Sequence, residues 1–217
     1  AAAPSSPHLF SSAASVVYKR QVLKYPNLKD HIFEYDLLSH QECDEIVSYL
    51  DSREWDDFMW YQGSTNEHLD LDKDSKMKST VNCPEAASMI QPHINEELHH
   101  AFHEKYNYYS VGSGGGGSFW EASSGIKFNK YAVGDYLSSH YDHIHSLFQG
   151  QFRGIPVTSV VGVLNDDFEG GDFIFWEEHT VNIKKGSVLV FPALYLFPHE
   201  VTPVTKGVRY SWIQWIV

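Results

Sequence analysis

The stretch YAVGDYLSSHYD, residues 131–142, decides how the chain is interpreted, because it places a His-x-Asp pair at the end of an apolar and aromatic strand pattern. In a strand, residues i and i+2 point to the same face of the sheet. His140 and Asp142 can therefore bind one metal ion from one strand, with Tyr141 pointing away. A His-x-Asp pair is common, so by itself it is weak evidence for a metal site.

A second stretch, PHEVTPVTKGVRY at residues 198–210, strengthens the metal-site interpretation. It provides His199 as a third ligand from a distant strand, and Arg209 follows ten residues later. Two histidines and one carboxylate leave one face of a metal ion open, which is the ligand set of non-haem Fe(II) oxygenases. A Gly-Gly strand at 169–173 and an apolar strand at 186–192 lie between the two stretches.

With these residues the chain resembles the Fe(II)- and 2-oxoglutarate-dependent dioxygenases, and within them the prolyl 4-hydroxylase-like branch, over roughly residues 126–217. The resemblance implies that His140, Asp142 and His199 are the metal ligands. It also implies that Arg209 is catalytic by holding the far carboxylate of 2-oxoglutarate. The remaining predicted cosubstrate-binding residues are Tyr131, Ser211 and Trp215.

The cofactors that the resemblance implies are Fe(2+), 2-oxoglutarate as cosubstrate, O2, and ascorbate as reductant. The implied reaction is hydroxylation of an unactivated C–H bond, with release of succinate and CO2. We expect a prolyl or lysyl residue of a peptide or protein as the substrate, and a free amino acid or small metabolite as the alternative. Tyr136, His143 and Arg153 are the predicted substrate-contacting residues.

Two positions depart from the pattern of the peptide prolyl hydroxylases. Those enzymes carry a tyrosine three residues before the first metal-binding histidine, where this chain has Leu137. Collagen-type members usually have lysine at the position of Arg209. Arginine still suits the cosubstrate carboxylate, because its planar group can bind both oxygens at once.

About eight short strands follow residue 126, separated by polar turns, and this spacing predicts a β-sandwich or small barrel. The resemblance sharpens the prediction to a mainly β fold with flanking helices (α+β), in which a double-stranded β-helix (jelly roll) is braced by N-terminal helices. In the last strand, Arg209, Ser211, Ile213 and Trp215 share one face.

The first half of the chain predicts a strand at 31–36 and helices at 39–50 and 84–106. Ser39 and Glu42 form a capping-box pattern for the first helix. Pro92 is expected to kink the second helix, because proline has no amide hydrogen to donate. We interpret that helix's histidines as structural and expect no carboxylate partner for them: His93, His99, His100 and His103.

Residues 55–80 are predicted to form a surface loop, either as a lid over the substrate or packed on the domain. Trp55, Trp60 and Tyr61 would contact substrate in the first case. The chain as a whole is expected to comprise a flexible tail at 1–15 and one dioxygenase domain at 16–217. Within that domain we expect helical support at 31–110, a linker-like GSGGGGS loop at 112–118 and the jelly-roll core at 126–217.

The net charge of −12 argues against nucleic acid as a partner, since phosphate binding requires a basic surface. No apolar run is long enough to span a membrane, and the N-terminal residues lack a signal-peptide pattern, so a cytoplasmic location is expected. The expected partner is a peptide, protein or amino-acid-like substrate; the pattern leaves the oligomeric state open. We favour two reduced, half-buried thiols for Cys43 and Cys83 over a disulfide.

Two other classes of protein stay open at this point. One is a jelly-roll protein that binds a metal without catalysis, although such a site would not need the basic residue Arg209 ten positions beyond a ligand. The other is a non-enzymatic sandwich for protein interaction, in which the three-part motif would be a coincidence.

Overall fold

The computed structural model describes residues 27–62, 67–69, 75–80, 83–110, 122–143 and 156–217. The predicted tail at 1–15, the GSGGGGS segment and the candidate residue Arg153 lie outside the described residues. The chain divides into two compact units, Ala1–His31 and Ile32–Val217. In the first unit, Leu28–His31 forms a 3₁₀ turn. The second unit contains every other described element.

Sixteen strands are present in the described residues, and all their pairings are antiparallel. They are β1 (Phe33–Asp36), β2 (Asp56–Asp57), β3 (Trp60–Gln62), β4 (Glu67–Leu69), β5 (Ser75–Lys76), β6 (Lys78–Thr80), β7 (Lys127–Tyr131), β8 (Tyr136–His140), β9 (Thr158–Val163), β10 (Glu169–Gly170), β11 (Phe173–Phe175), β12 (His179–Val181), β13 (Ser187–Pro192), β14 (His199–Val201), β15 (Val204–Lys206) and β16 (Arg209–Ile216).

Two sheets dominate the second unit. The larger has the order β1-β13-β9-β16-β7-β6-β2, and the smaller has the order β12-β11-β14-β8-β5. Strands β10 and β15 form one further pair, and β3 and β4 form another. The fold is therefore mainly β, with chain-distant strands as neighbours in both sheets, and this arrangement is consistent with the expected jelly roll.

A hydrophobic cluster contains buried residues from both sheets. From the larger sheet come Val161, Leu189 and Phe191, and from the smaller come Phe173 and Phe175. Each strand alternates its side chains between two faces, so Val160 and Val190 belong to a different cluster. The interior shared by the two sheets holds most of the predicted site residues.

Three helical segments follow the capping and periodicity signals. α1 (His40–Asp51) begins after Ser39, whose side chain and Glu42 form the predicted capping box. α2 (Pro84–His93) contains Pro92 and continues into a π-helical turn, Ile94–Leu98, before α3 (His99–Ser110). The predicted second helix is thus interrupted directly after its proline, where the regular hydrogen-bond ladder loses a donor.

The helices and the larger sheet share the second hydrophobic cluster. Ile46, Ile90 and Leu98 are fully buried in it, together with Phe128 and Trp212 from β7 and β16. None of the described helices is long and apolar enough to cross a membrane.

Several sequence predictions need correction. Residues 55–80 are not a loop in their described parts, because they contain β2 to β6, and three of these strands, β2, β5 and β6, extend the main sheets. The strand that carries His140 ends there, so Asp142 lies beyond it. Both cysteines are free, as favoured, but they are fully buried and not half-buried.

The expectation that His93 lacks a carboxylate partner is wrong. Its Nδ1 lies 2.7 Å from Glu97, one turn further along the helical segment, and its Nε2 lies 3.0 Å from Glu42 on α1. Burial disfavours the charged imidazole, but the two carboxylates outweigh this effect and raise the pKa of His93. The three side chains therefore link α1 to the segment after α2.

We expect this link to contribute pH-dependent stability. A raised pKa means that the contribution is fully present below the unfolded-state value, about 6.5, and is lost as the pH rises through the folded-state value. His93→Gln should therefore lower the free energy of unfolding by about 0.5–1 kcal/mol at about pH 5.5, and by less at about pH 8. Urea unfolding at both pH values measures this difference. His100→Gln removes a histidine from an exposed pair and serves as the control. An equal loss at both pH values would contradict the electrostatic explanation.

Candidate active site

His140, Asp142 and His199 come together in the structure. Their potential ligand atoms all lie within 4.8 Å of one another. Nε2 of His140 is 3.6 Å from Asp142 Oδ1, and Nε2 of His199 is 3.8 Å from Asp142 Oδ2. The pairing of β14 with β8 sets His199 directly opposite His140. Residues that lie far apart in the sequence thus form one group that can hold a metal ion.

The register of β8 against β14 contains a bulge. His199 pairs with His140, but Val201 pairs with Leu137, so β8 has one extra residue between the two pairs. A bulge changes which side chains share a face. Leu137 is therefore in the same interior cluster as Phe173 and Val201, although simple alternation places it on the opposite face from His140.

Backbone carbonyls orient both imidazoles. Nδ1 of His140 lies 2.8 Å from the carbonyl oxygen of Ser138, and Nδ1 of His199 lies 3.0 Å from that of Phe197. In each ring, a carbonyl can only accept, so Nδ1 carries the hydrogen and donates it. Nε2 then keeps its lone pair and faces Asp142, which is the tautomer that a metal ligand needs.

Aromatic side chains pack against both imidazole rings. Phe173 stacks on His199, with ring centroids 5.1 Å apart and an interplanar angle of 13°. Trp60 meets His140 edge-on at a centroid distance of 5.1 Å. Trp60 thus contacts a site residue, whereas Trp55 packs against Tyr210 in the other cluster; substrate contact by either tryptophan stays a prediction.

Burial and mutual contacts shift the protonation of this group. Burial lowers the pKa of His199 to about 4, with repulsion from His140 adding to the effect and Asp142 opposing it. For Asp142, burial favours the neutral acid, but the two histidines and the Ser159 hydroxyl outweigh it and lower its pKa. Neutral imidazole and ionised carboxylate are the forms that bind metals.

Ser159 is a positioning residue that the sequence analysis missed. It lies on β9, is fully buried, and donates a hydrogen bond of 2.6 Å to Oδ2 of Asp142. The signal was available in the sequence, because Ser159 is a polar residue in a strand whose remaining four residues, after Thr158 and Ser159, are apolar. Only the packing of β9 against the segment after β8 shows which carboxylate it contacts.

A second group surrounds Arg209 at the first residue of β16. Arg209 is only 2% exposed, and its guanidinium donates to the hydroxyl of Ser211 at 2.9 Å and lies 5.2 Å from the Tyr131 ring centroid. Tyr131 is its direct cross-strand partner on β7. Among the described residues, no carboxylate lies within 4 Å of the guanidinium. A buried charge without an acid partner within this distance is costly, although Asp172 attracts it from further away, and an anionic ligand would lower the cost.

Gly171 makes room for this arginine. A Cβ added at this position would lie 2.9 Å from Cδ of Arg209, and the backbone φ is +65°. Both facts favour glycine, because L-residues with a side chain rarely adopt this conformation. The Gly-Gly pair of the sequence motif therefore shapes the wall beside the basic residue.

The other predicted site residues are Trp215, Tyr136, His143 and Arg153, and their positions in the fold differ. Trp215 lies on β16 opposite Ser159. Its indole favours the ionised form of Asp142, yet Nε1 makes no hydrogen bond of acceptable geometry. Tyr136 begins β8 and pairs with Lys76, and His143 lies one residue beyond Asp142. Arg153 is outside the described residues.

The donor set fits Fe(II) and a dicarboxylate. Two imidazole nitrogens and one carboxylate on one side match the ligand types of open non-haem iron sites. The uncompensated charge of Arg209 matches the far carboxylate of a diacid. Asn129 lies on β7 opposite Ser211. Its buried side-chain oxygen has no hydrogen-bond partner among the described residues, so it can still accept a hydrogen bond.

Comparison with known protein families gives a match to the second half of the chain. Residues 126–217 match the model of the 2OG-Fe(II) oxygenase superfamily. A PKHD-type hydroxylase of Idiomarina loihiensis is 35% identical over 94 residues, and one of Shewanella oneidensis is 33% identical over the same length. These alignments cover 42% and 41% of this chain. The chain spans 41% of the length of each of these relatives.

Solved structures of the same fold cover more of the chain. The viral collagen prolyl hydroxylase from Paramecium bursaria Chlorella virus-1 superposes with a TM-score of 0.59 at 18% identity, over 86% of this chain and 95% of that one. A prolyl hydroxylase from Trichoplax adhaerens, solved with a peptide fragment of hypoxia inducible factor, gives a TM-score of 0.61 at 15% identity, over 86% and 83%. At these identities the likeness supports the fold alone.

The role of Ser159 is testable through metal affinity. We expect Ser159→Ala to weaken Mn(II) binding about tenfold, because groups that orient a metal ligand typically contribute this much. Calorimetric titration measures the affinity. Ser187→Ala is the matched control, since it removes an equally buried hydroxyl that bonds Asp36 outside the triad. Equal Mn(II) affinities for Ser159→Ala and the wild type would refute the positioning role.

Proposed function

We propose that the protein is a 2-oxoglutarate-dependent dioxygenase that hydroxylates an unactivated C–H bond, since residues 126–217 match the model of the 2OG-Fe(II) oxygenase superfamily. The observation that carries the proposal is the combination of the His140–Asp142–His199 group with a buried, acid-free Arg209 in the same unit. A protein that only stores or senses a metal has no use for the second feature.

In this proposal each residue has a defined role. His140 and His199 provide Nε2 lone pairs to Fe(II), and Asp142 provides a carboxylate oxygen that Ser159 holds in place. Arg209 binds the far carboxylate of 2-oxoglutarate. Tyr131 adds a neutral phenol hydroxyl, because burial raises its pKa to about 12 and keeps it protonated.

The bound iron supplies the oxidising chemistry: one oxygen atom of O2 enters the substrate C–H bond, the other enters 2-oxoglutarate, and the products are an alcohol, succinate and CO2. The chain's own part is placement and exclusion of water. Phe173 and Trp60 enclose the two imidazoles, and Phe173, Phe175 and Phe191 keep the interior apolar. Ascorbate is expected as the reductant that keeps the iron in its Fe(II) form.

The substrate is proposed to be amino-acid-like, with a prolyl or lysyl residue of a peptide as the first candidate. The supporting facts are the names of the similar proteins, which are PKHD-type hydroxylases and prolyl hydroxylases.

Residues 31–110 are proposed to support the catalytic residues, all of which come from 126–217.

We expect succinate formation from 2-oxoglutarate in the presence of Fe(II), ascorbate and a suitable substrate from a panel of prolyl peptides, lysyl peptides and free amino acids. Asp142→Ala should reduce it to background, because the site loses its anionic ligand. Chromatographic quantification of succinate measures the result. Asp44→Ala, which removes an exposed carboxylate on α1, should retain full activity. Tight Fe(II) binding without succinate from any panel member would favour the metal-binding alternative.

The cosubstrate anchor has its own test. We expect Arg209→Met to raise the dissociation constant of 2-oxoglutarate about a hundredfold, since a two-pronged charged interaction contributes roughly 3 kcal/mol. Mn(II) affinity should stay within about twofold of the wild-type value, because Arg209 is not among the metal ligands. Calorimetry measures both constants, and circular dichroism checks folding. Arg53→Met removes a surface guanidinium paired with Glu85 and is the control. Unchanged 2-oxoglutarate binding in Arg209→Met would exclude this residue as the anchor.

A further inference from the structure

A second cation, Lys127, faces the interior at the opposite end of β7 from Tyr131. Lys127 and Tyr131 are four residues apart, so both point to the same face of the strand. Lys127 pairs with Ile213 of β16, a residue packed against the interior cluster. The next interior positions along β16 and β9 are Trp215 and Ser159, and Ser159 bonds Asp142. Lys127 is therefore close to the level of the metal-binding group.

The ammonium group of Lys127 lacks an acid partner within the described part of the chain. Its Nζ lies 4.2 Å from the ring centroid of Phe58, and no described carboxylate is within ion-pair distance. Burial lowers the pKa of Lys127 to about 8, and the attraction of Asp142 only partly opposes this. Lys127 is only partly exposed, and one aromatic face compensates a partly buried charge incompletely, so Lys127 is suited to an anion that arrives from outside.

Two aromatic rings connect Lys127 to the triad. Phe58 meets Trp60 edge-on at 5.2 Å, and Trp60 in turn contacts His140. Nε1 of Trp60 is buried and has no hydrogen-bond partner among the described residues. The Lys127 ammonium on β7 and this N–H donor on β3 are thus linked through the Phe58 ring, and Trp60 itself contacts the metal-binding histidine.

Lys127 is too far from Arg209 to act as part of the same anchor. Four residues of extended strand separate Lys127 from Tyr131, the cross-strand partner of Arg209, which corresponds to ~13 Å. The two cations therefore mark two separate anion positions, one beside each end of β7.

We propose that Lys127 binds a carboxylate of the primary substrate, so that the substrate of this enzyme is an acid and not a neutral peptide segment. The inference rests on the proposed oxygenase function and names the substrate class of the same site. The carboxylate comes either from the α-carboxylate of an amino acid or from an acidic side chain next to the hydroxylated residue, and the two sources share the same chemistry.

Charge balance supports an acid. With a divalent metal and the dianion 2-oxoglutarate bound, Asp142, Arg209 and Lys127 would leave one positive charge uncompensated in a site where Asp142 and Arg209 are buried. A substrate with one carboxylate neutralises this charge, whereas a neutral substrate leaves it. The site would therefore prefer an acid, because a ligand without a carboxylate leaves the charged Lys127 donor without an acceptor and binds more weakly.

The test measures binding without turnover. The protein is loaded with Mn(II) and 2-oxoglutarate, and two matched pairs are titrated by calorimetry: N-acetyl-L-proline against N-acetyl-L-prolinamide, and acetyl-Pro-Glu-amide against acetyl-Pro-Gln-amide. We expect the acid of at least one pair to bind about tenfold more tightly than its amide, as a charged hydrogen bond predicts. The pair that discriminates identifies the source of the carboxylate.

Three variants separate the role of Lys127 from structural effects. Lys127→Met should reduce the preference to about twofold or less, and Lys127→Arg should restore it, because arginine keeps the charge. Lys130→Met removes a lysine from the opposite face of the same strand, where it contacts Trp55 and Tyr210, and should keep the full preference. Thermal melting confirms that each variant is folded.

Three results would overturn the proposal. They are an absence of acid preference in both wild-type pairs, an unchanged preference in Lys127→Met, and weaker 2-oxoglutarate binding in Lys127→Met, which would assign the lysine to the cosubstrate instead. Failure of the wild-type protein to bind Mn(II) or 2-oxoglutarate is visible before any substrate is added. That result would overturn the proposed oxygenase function itself, and this inference with it.

Discussion

The pairing of β14 with β8 is the contact on which the candidate site depends. It sets His199 opposite His140, and the carbonyls of Phe197 and Ser138, each two residues earlier in the chain, orient the two rings in the same way. The bulge in β8 lets Leu137 and His140 both face the interior, so that an apolar wall and a metal ligand come from one short strand. The geometry of a single strand pair thus determines the position of two of the three ligands.

The cost of buried charge explains the arrangement of the polar residues around this contact. Asp142 is buried beside two imidazoles and a serine hydroxyl, which favour its ionised form. Arg209 and Lys127 have no carboxylate within ion-pair distance among the described residues, and Asp172 and Asp142 attract them only from further away. The two cations lie beside opposite ends of β7. Anionic ligands would lower the cost of both charges. Ligand binding and the electrostatic balance of the fold are therefore coupled.

The sequence predicted secondary-structure elements correctly where the signal was local. The capping box of Ser39 and Glu42 predicted the start of α1, and the apolar run at 186–192 predicted β13 to within one residue of its ends. Local signals failed where distant partners decide. Residues 55–80 carry no strong strand pattern, yet β5 and β6 become strands because they pair with β8 and β7. Of the two carboxylate partners of His93, Glu42 is 51 residues away in the chain, whereas Glu97 is one helical turn away and was a local signal that the sequence analysis missed.

By itself the sequence determined the identity of the candidate ligands, since His-x-Asp, the later histidine and the arginine ten residues on are patterns of residue type and spacing. Tertiary structure alone decided which residues support them. Ser159 contacts Asp142 across 17 positions, and Lys127 reaches the metal-binding level only because β7 lies beside β16, which in turn lies beside β9. Strand order in an antiparallel sheet is a property of long-range pairing, and no periodicity within a single strand encodes it.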